Sequence, residues 1–225
     1  MLYGKDDMFT IAIDGPSGSG KSTAATMTAR ALGCGYLDTG AMYRAVAVGC
    51  MDAGISDPES IADYCQHMNL EMSTDPDDQC VRLSGRDITA EIRSPEVSAW
   101  VSKVSTNPQC RTDLVRRQQD ILASGSFVAE GRDITTVVAP HAQVRILLTA
   151  DPEARMSRRG AELGGVLSQA DLHDQIVRRD RDDSTLVNFT VAADGVATID
   201  STYLTPQEVV EQILILAERL GIVDR

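Results

Sequence analysis

Residues 15–22 read Gly15-Pro16-Ser17-Gly18-Ser19-Gly20-Lys21-Ser22 and fill the pattern G-x-x-x-x-G-K-[ST] without a gap. The run follows an apolar stretch, Phe9-Thr10-Ile11-Ala12-Ile13, that ends at Asp14. It opens a helical pattern from Lys21 to Leu32, with Gly33 as the stop. Strand, glycine-rich loop and helix in that order make a phosphate cradle: the glycines let backbone N–H groups turn inward, and the helix N-terminus adds the positive end of its dipole. Lys21 is placed to reach the β- and γ-phosphates of a nucleotide and Ser22 to ligate Mg²⁺, with Thr23 completing the set. ATP and Mg²⁺ are the cofactors this pattern predicts.

The rest of the chain repeats the alternation. Gly35 to Leu37, Phe127 to Ala129, Val144 to Leu148 and Val196 to Ile199 read as strands with helical stretches between them, which predicts a mostly parallel sheet covered on both faces. Between Asn69 and Ile92 the pattern changes to short alternating runs broken by Asp, Pro and Gly, the mark of an antiparallel insert. Helices resume at Pro95 to Val104 and Pro108 to Ala123, each opening on proline. Pro152 to Arg181 is polar and arginine-rich and suits a flap, whereas Pro206 to Leu220 carries an apolar stripe and suits a docked helix.

Composition narrows the partners. A formal net charge of −12 argues against a nucleic-acid duplex, so any phosphate ligand must be met by local cations. Those cations are mainly arginine, whose fork grips phosphate at two points; of 21 basic residues only Lys5, Lys21 and Lys103 are lysines. Five cysteines, odd in number and never spaced C-x-x-C, speak against a disulfide framework or a zinc site. No run approaches a membrane span, and a soluble, cytoplasmic protein of one domain is expected.

A carboxylate should stand near the metal at the end of a neighbouring strand. Glu130, directly after Phe127-Val128-Ala129, is the candidate, with Asp14 and Asp38 as competitors. Two further segments, Asp38-Thr39-Gly40-Ala41-Met42-Tyr43-Arg44 and Glu130-Gly131-Arg132-Asp133, follow strands, where open α/β sheets bind ligands. With the P-loop, the insert and the continuation Thr136-Val137-Val138, these segments resemble bacterial cytidylate kinase along nearly the whole chain.

The resemblance implies an α/β P-loop NTPase three-layer fold with a five-stranded mostly parallel sheet, a small antiparallel nucleotide-binding insert and a helical lid. It divides the chain into a core at about 8–62, 95–150 and 190–225, an insert at about 63–94 and a lid at about 152–186. The implied reaction moves the γ-phosphoryl group of ATP to CMP or dCMP in pyrimidine nucleotide metabolism. Arg44 and Arg132 would clamp the CMP phosphate, and Thr39, Ser102, Arg111 and Asp133 would surround the nucleotide, the last three at the base. Cytosine offers an N4 amine to Asp133 and N3 and O2 acceptors to Arg111; uracil would set an oxygen against the carboxylate.

Arg155, Arg158 and Arg159 would close over the transferring group and exclude water. The accepting phosphate is already an anion at pH 7, so no general base is assigned. Arg179 and Asp183 would contact the ribose. The family's next arginine is replaced here by Leu186, a departure that removes an expected phosphate contact, for which Arg178 or Arg181 could substitute. Tyr43 is read as packing, and a monomer is expected. Alternatives are a P-loop kinase for UMP or a hydroxyl metabolite, or a nucleotide-dependent binding module. The chain lacks N-K-x-D, D-x-x-G and L-S-G-G-Q, which a GTPase or transporter-type ATPase would carry.

Overall fold

The computed structural model describes residues 8–162 and 190–222. Five strands form the main sheet: β1 (Thr10–Asp14), β2 (Gly35–Asp38), β6 (Phe127–Gly131), β7 (Val144–Thr149) and β8 (Ala197–Asp200). Their order is β2-β6-β1-β7-β8, and every pairing is parallel. The sequence shows why. Ile11 and Ile13 of β1, with Val128, Ile146 and Leu148, are buried against α1 (Lys21–Leu32) and α8 (Pro206–Arg219). The alternate residues Ala12, Leu37 and Ala129 are buried on the other face, with Val115 and Ile121 of α6 (Pro108–Leu122) packed against them. Strands apolar on both faces need helices on both faces, which gives the three layers.

Turn and cap chemistry sets the limits of these elements. Gly33 ends α1 in the left-handed conformation, φ 63°. Asp57 caps α3 (Pro58–His67), Asn107 caps α6, and Thr205 with Glu208 forms a capping box at α8, each ahead of a proline in the first turn. The expected helix over Pro95 to Val104 is two short helices, α4 (Pro95–Trp100) and α5 (Ser102–Ser105), which still bury Val97, Val101 and Val104 as one stripe.

The insert is a three-stranded antiparallel sheet, β3 (Leu70–Met72), β4 (Val81–Leu83) and β5 (Arg86–Asp87). It shares a second apolar cluster with α2 (Thr39–Asp52), α3 and α6, built around Val46, Ile61, Ile88, Ile92 and Leu114. Polar links tie this region to the main sheet and to α1. The Tyr36 N–H on edge strand β2 donates to the Thr74 carbonyl (2.9 Å), Arg30 of α1 pairs with Asp77 (2.7 Å), and Arg93 pairs with Asp38 (2.6 Å). All five cysteines are free, and among the described residues no helix is long and apolar enough to cross a membrane.

Candidate active site

Parallel register brings the strand ends to one edge. Asp38 of β2 lies opposite Glu130 of β6, and Asp14 of β1 lies opposite Gly131. The P-loop follows Asp14, α2 follows Asp38, and Arg132-Asp133 follow Gly131, so the three segments singled out in the sequence converge there. They share a pocket of about 320 Å³. Its lining joins Ser17, Gly18, Gly20, Lys21, Ser22 and Thr23 to Asp38, Gly40, Arg44, Arg93, Arg132 and Arg159, with Glu130 and Gly131 at the end of β6.

The P-loop is held by close approach. A Cβ on Gly15 would lie 2.1 Å from the Leu148 carbonyl oxygen of β7. At Gly18, φ +76°, it would lie 2.5 Å from the Arg155 carbonyl oxygen in α7 (Pro152–Glu162). Pro16 and Ser19 keep the loop in register: Lys21 Nζ donates to the Pro16 carbonyl (2.9 Å), and the Ser19 carbonyl lies 2.9 Å from Ser201 Oγ.

The two residues expected at the metal are in contact. Ser22 Oγ donates to Glu130 Oε1 at 2.6 Å, and Glu130 is only 5% exposed. Burial pushes the Glu130 carboxyl above its usual value, with Asp38 adding to the rise and Lys21 and the Ser22 hydroxyl working against it. A hydroxyl and a carboxylate beside a phosphate cradle are hard oxygen donors of the kind Mg²⁺ takes alongside phosphate oxygens, so this pair fits that ion. The competitors are otherwise engaged. Asp14 accepts from the Ile134 N–H (2.7 Å), the Thr135 N–H (3.0 Å) and Thr135 Oγ1 (2.5 Å). Asp38 caps α2 through the Ala41 N–H and pairs with Arg93.

Across the pocket, Arg44 is 7% exposed and its Nε has no hydrogen-bond partner among the described residues. A buried guanidinium on the wall of a pocket suits an anion. Thr39 Oγ1 donates to the Glu130 carbonyl (2.9 Å) and so buttresses the backbone leading to Arg132. Asp133 and Arg111 meet side chain to side chain at 2.5 Å, and Arg111 reaches back to the Ser105 carbonyl (3.5 Å). Ser102 opens α5 one turn before Ser105 and is half-buried outside the pocket lining. Tyr43 lies in the apolar cluster, and burial followed by the Asp133 charge raises its phenol.

The arginines of α7 diverge. Arg159 lines the pocket, and Arg155 donates to the Ser17 carbonyl at 3.2 Å. Arg158 turns to the loop after β8, donating to Ser201 Oγ (2.9 Å) and the Ser201 carbonyl (2.6 Å). Arg179 and Asp183, with Arg178, Arg181 and Leu186, lie outside the described residues.

One pocket residue has no motif to announce it. Arg93 ends a 3-10 turn (Glu91–Arg93) beyond the insert, lines the pocket and pairs with Asp38. In the sequence it is one polar residue before Ser94-Pro95, and only the fold brings it to the strand ends.

A P-loop on a five-stranded parallel sheet, facing a cluster of arginines across one pocket, defines a P-loop kinase. A gluconokinase structure from Sinorhizobium meliloti has the same fold: TM-score 0.50 at 16% identity, covering 96% of this chain and 95% of that one. The cytidylate kinase of Cutibacterium acnes is 48% identical over 208 residues, 91% of this chain and 93% of that protein. That of Fervidobacterium nodosum is 43% identical over 218 residues, 94% and 98%. The sequence model of cytidylate kinase matches residues 11–219, and the chain belongs to the cytidylate kinase family.

Proposed function

We propose that this chain transfers the γ-phosphoryl group of ATP to CMP or dCMP, giving ADP and CDP or dCDP. The observation that carries the reading is a single pocket in which the P-loop with Lys21 faces Arg44, Arg93 and Arg132. Two polyanions brought together there repel each other, and cations between them offset that repulsion; positioning and charge neutralisation are most of what a loose phosphoryl-transfer transition state requires.

In this reading the P-loop amides and Lys21 hold the ATP phosphates, while Arg44 and Arg132 hold the acceptor phosphate. Ser22 and Glu130 would hold Mg²⁺, whose charge neutralises phosphate oxygens. Asp133 and Arg111, already paired, form the reader for cytosine, and Ser102 is assigned to the base with them. Arg155 and Arg159 are assigned to the lid; Arg158 would have to leave Ser201 to join them. Arg179 and Asp183 are assigned to the ribose.

The test is ADP formation from MgATP with CMP, dCMP, UMP, AMP or shikimate as acceptor. CMP and dCMP should exceed the others, and Lys21→Ala should lose about a hundredfold or more. Asp133→Ala should shrink the CMP-over-UMP preference about 10- to 100-fold. Turnover of none of these acceptors by a protein that still binds ATP would sink the cytidylate assignment.

A further inference from the structure

Asp133 occupies a capping position and does not cap. It precedes a π-helical turn, Ile134–Val138, and makes no side-chain bond to that turn. An aspartate so placed ordinarily folds back onto the next backbone N–H groups. Here the Asp133 carboxylate is turned to Arg111 instead. A donor it would have taken, the Thr135 N–H, goes to Asp14: Oδ2 accepts it at 3.0 Å together with the Thr135 hydroxyl at 2.5 Å, and Oδ1 accepts the Ile134 N–H at 2.7 Å. Asp14 is 3% exposed, and it reaches these partners from β1, 120 residues earlier in the chain.

We propose that Asp14 is a positioning residue for recognition of the acceptor base: by capping the turn after Asp133 from the central strand, it frees the Asp133 carboxylate for Arg111 and the nucleotide. The proposal rests on the reading of Asp133 as the base-recognition group. Three donors converge on one side chain, and only a carboxylate accepts them all; an asparagine would turn its NH₂ toward a donor. The segment between is fixed at both ends, by Thr39 on the Glu130 carbonyl and by Asp14 on Ile134 and Thr135. Without Asp14, two buried backbone donors lose their acceptor, and the nearest carboxylate in the chain is that of Asp133. Once folded back, Asp133 no longer discriminates cytosine from uracil.

The experiment compares kcat/KM for CMP and UMP, and calorimetric binding of both, in Asp14→Asn, Thr135→Val, Thr135→Ser, Asp133→Ala and the Asp14→Asn/Asp133→Ala double variant. Asp14→Asn should lower the CMP-over-UMP ratio about tenfold, with KM for ATP unchanged. Thr135→Val should lower it less, and Thr135→Ser should restore it. In the Asp133→Ala background, Asp14→Asn should bring no further fall, because both act through one group. If Asp14→Asn does not fold, Thr135→Val against Thr135→Ser carries the comparison. Equal losses for CMP and UMP in these variants, beside a relaxed Asp133→Ala, would overturn the role of Asp14 alone. A further fall in the double variant would do the same. A wild-type ratio in Asp133→Ala would instead remove the base-reading assignment on which the proposal stands.

Discussion

Asp38 and Glu130 sit on neighbouring strands, and the same surroundings shift them in opposite directions. Burial alone would raise Asp38, but Arg93, Arg44 and the Ala41 amide outweigh it and hold the carboxyl below 3.8. Glu130 is raised above 4.5, first by burial and then by Asp38. The signs follow from linkage. Asp38 contributes stability that is complete above its ordinary value and is lost as pH falls through its depressed one. Glu130 costs the empty fold stability as pH rises from 4.5 through its raised value. A cation held by Ser22 and Glu130 favours the charged carboxylate, so loading MgATP should release protons above pH 4.5, where the raised Glu130 carboxyl still holds its proton in the empty protein. Calorimetry in buffers of different ionisation enthalpy reads this directly, and proton uptake there would contradict the metal assignment. Arg93→Ala should raise the KM for CMP and shift acid unfolding to higher pH, since Asp38 loses its leading charge partner. A pH-unfolding series with steady-state kinetics checks both.

At the scale of elements, α7 divides its arginines between structure and pocket. Arg158→Ala loses charge-assisted bonds to Ser201 and should cost about 1–3 kcal/mol, with kcat largely kept. Arg159→Ala should do the reverse, lowering kcat at nearly constant melting temperature. Thermal melts beside kinetics separate them, and a catalytic loss in Arg158→Ala with no change in stability would return that residue to the lid set. The elements also show what could be read in advance. The P-loop, five strands, antiparallel insert and terminal helix are local patterns of period and punctuation, so the sequence displays them. The turn at Ile134–Val138 is not local: Ile134-Thr135-Thr136-Val137-Val138 has the composition of a strand, and its conformation is capped from Asp14 on another strand. Arg93 escaped for the same reason, since its meaning lies in Asp38, 55 residues away. The divergence of Arg158 from Arg159 depends on the loop after β8.

At the scale of the whole molecule, three apolar clusters share the work. One joins the main sheet to α1 and α8, another covers the opposite face of that sheet with α6, and the last joins the insert to α2, α3 and α6. Ile213 of α8 is fully buried in the first, so Ile213→Ala should cost about 2–5 kcal/mol through the cavity it leaves, with KM values unchanged. Altered acceptor affinity would mean that the far face of the sheet is coupled to the pocket. The link from Tyr36 to Thr74 acts across that division. Strand β2 is the last of its sheet, and an open edge is a template on which another chain can add a strand. The insert's own backbone occupies that edge. Losing this bond would leave β2 bare, so the insert also guards the protein against growing, strand by strand, into an aggregate.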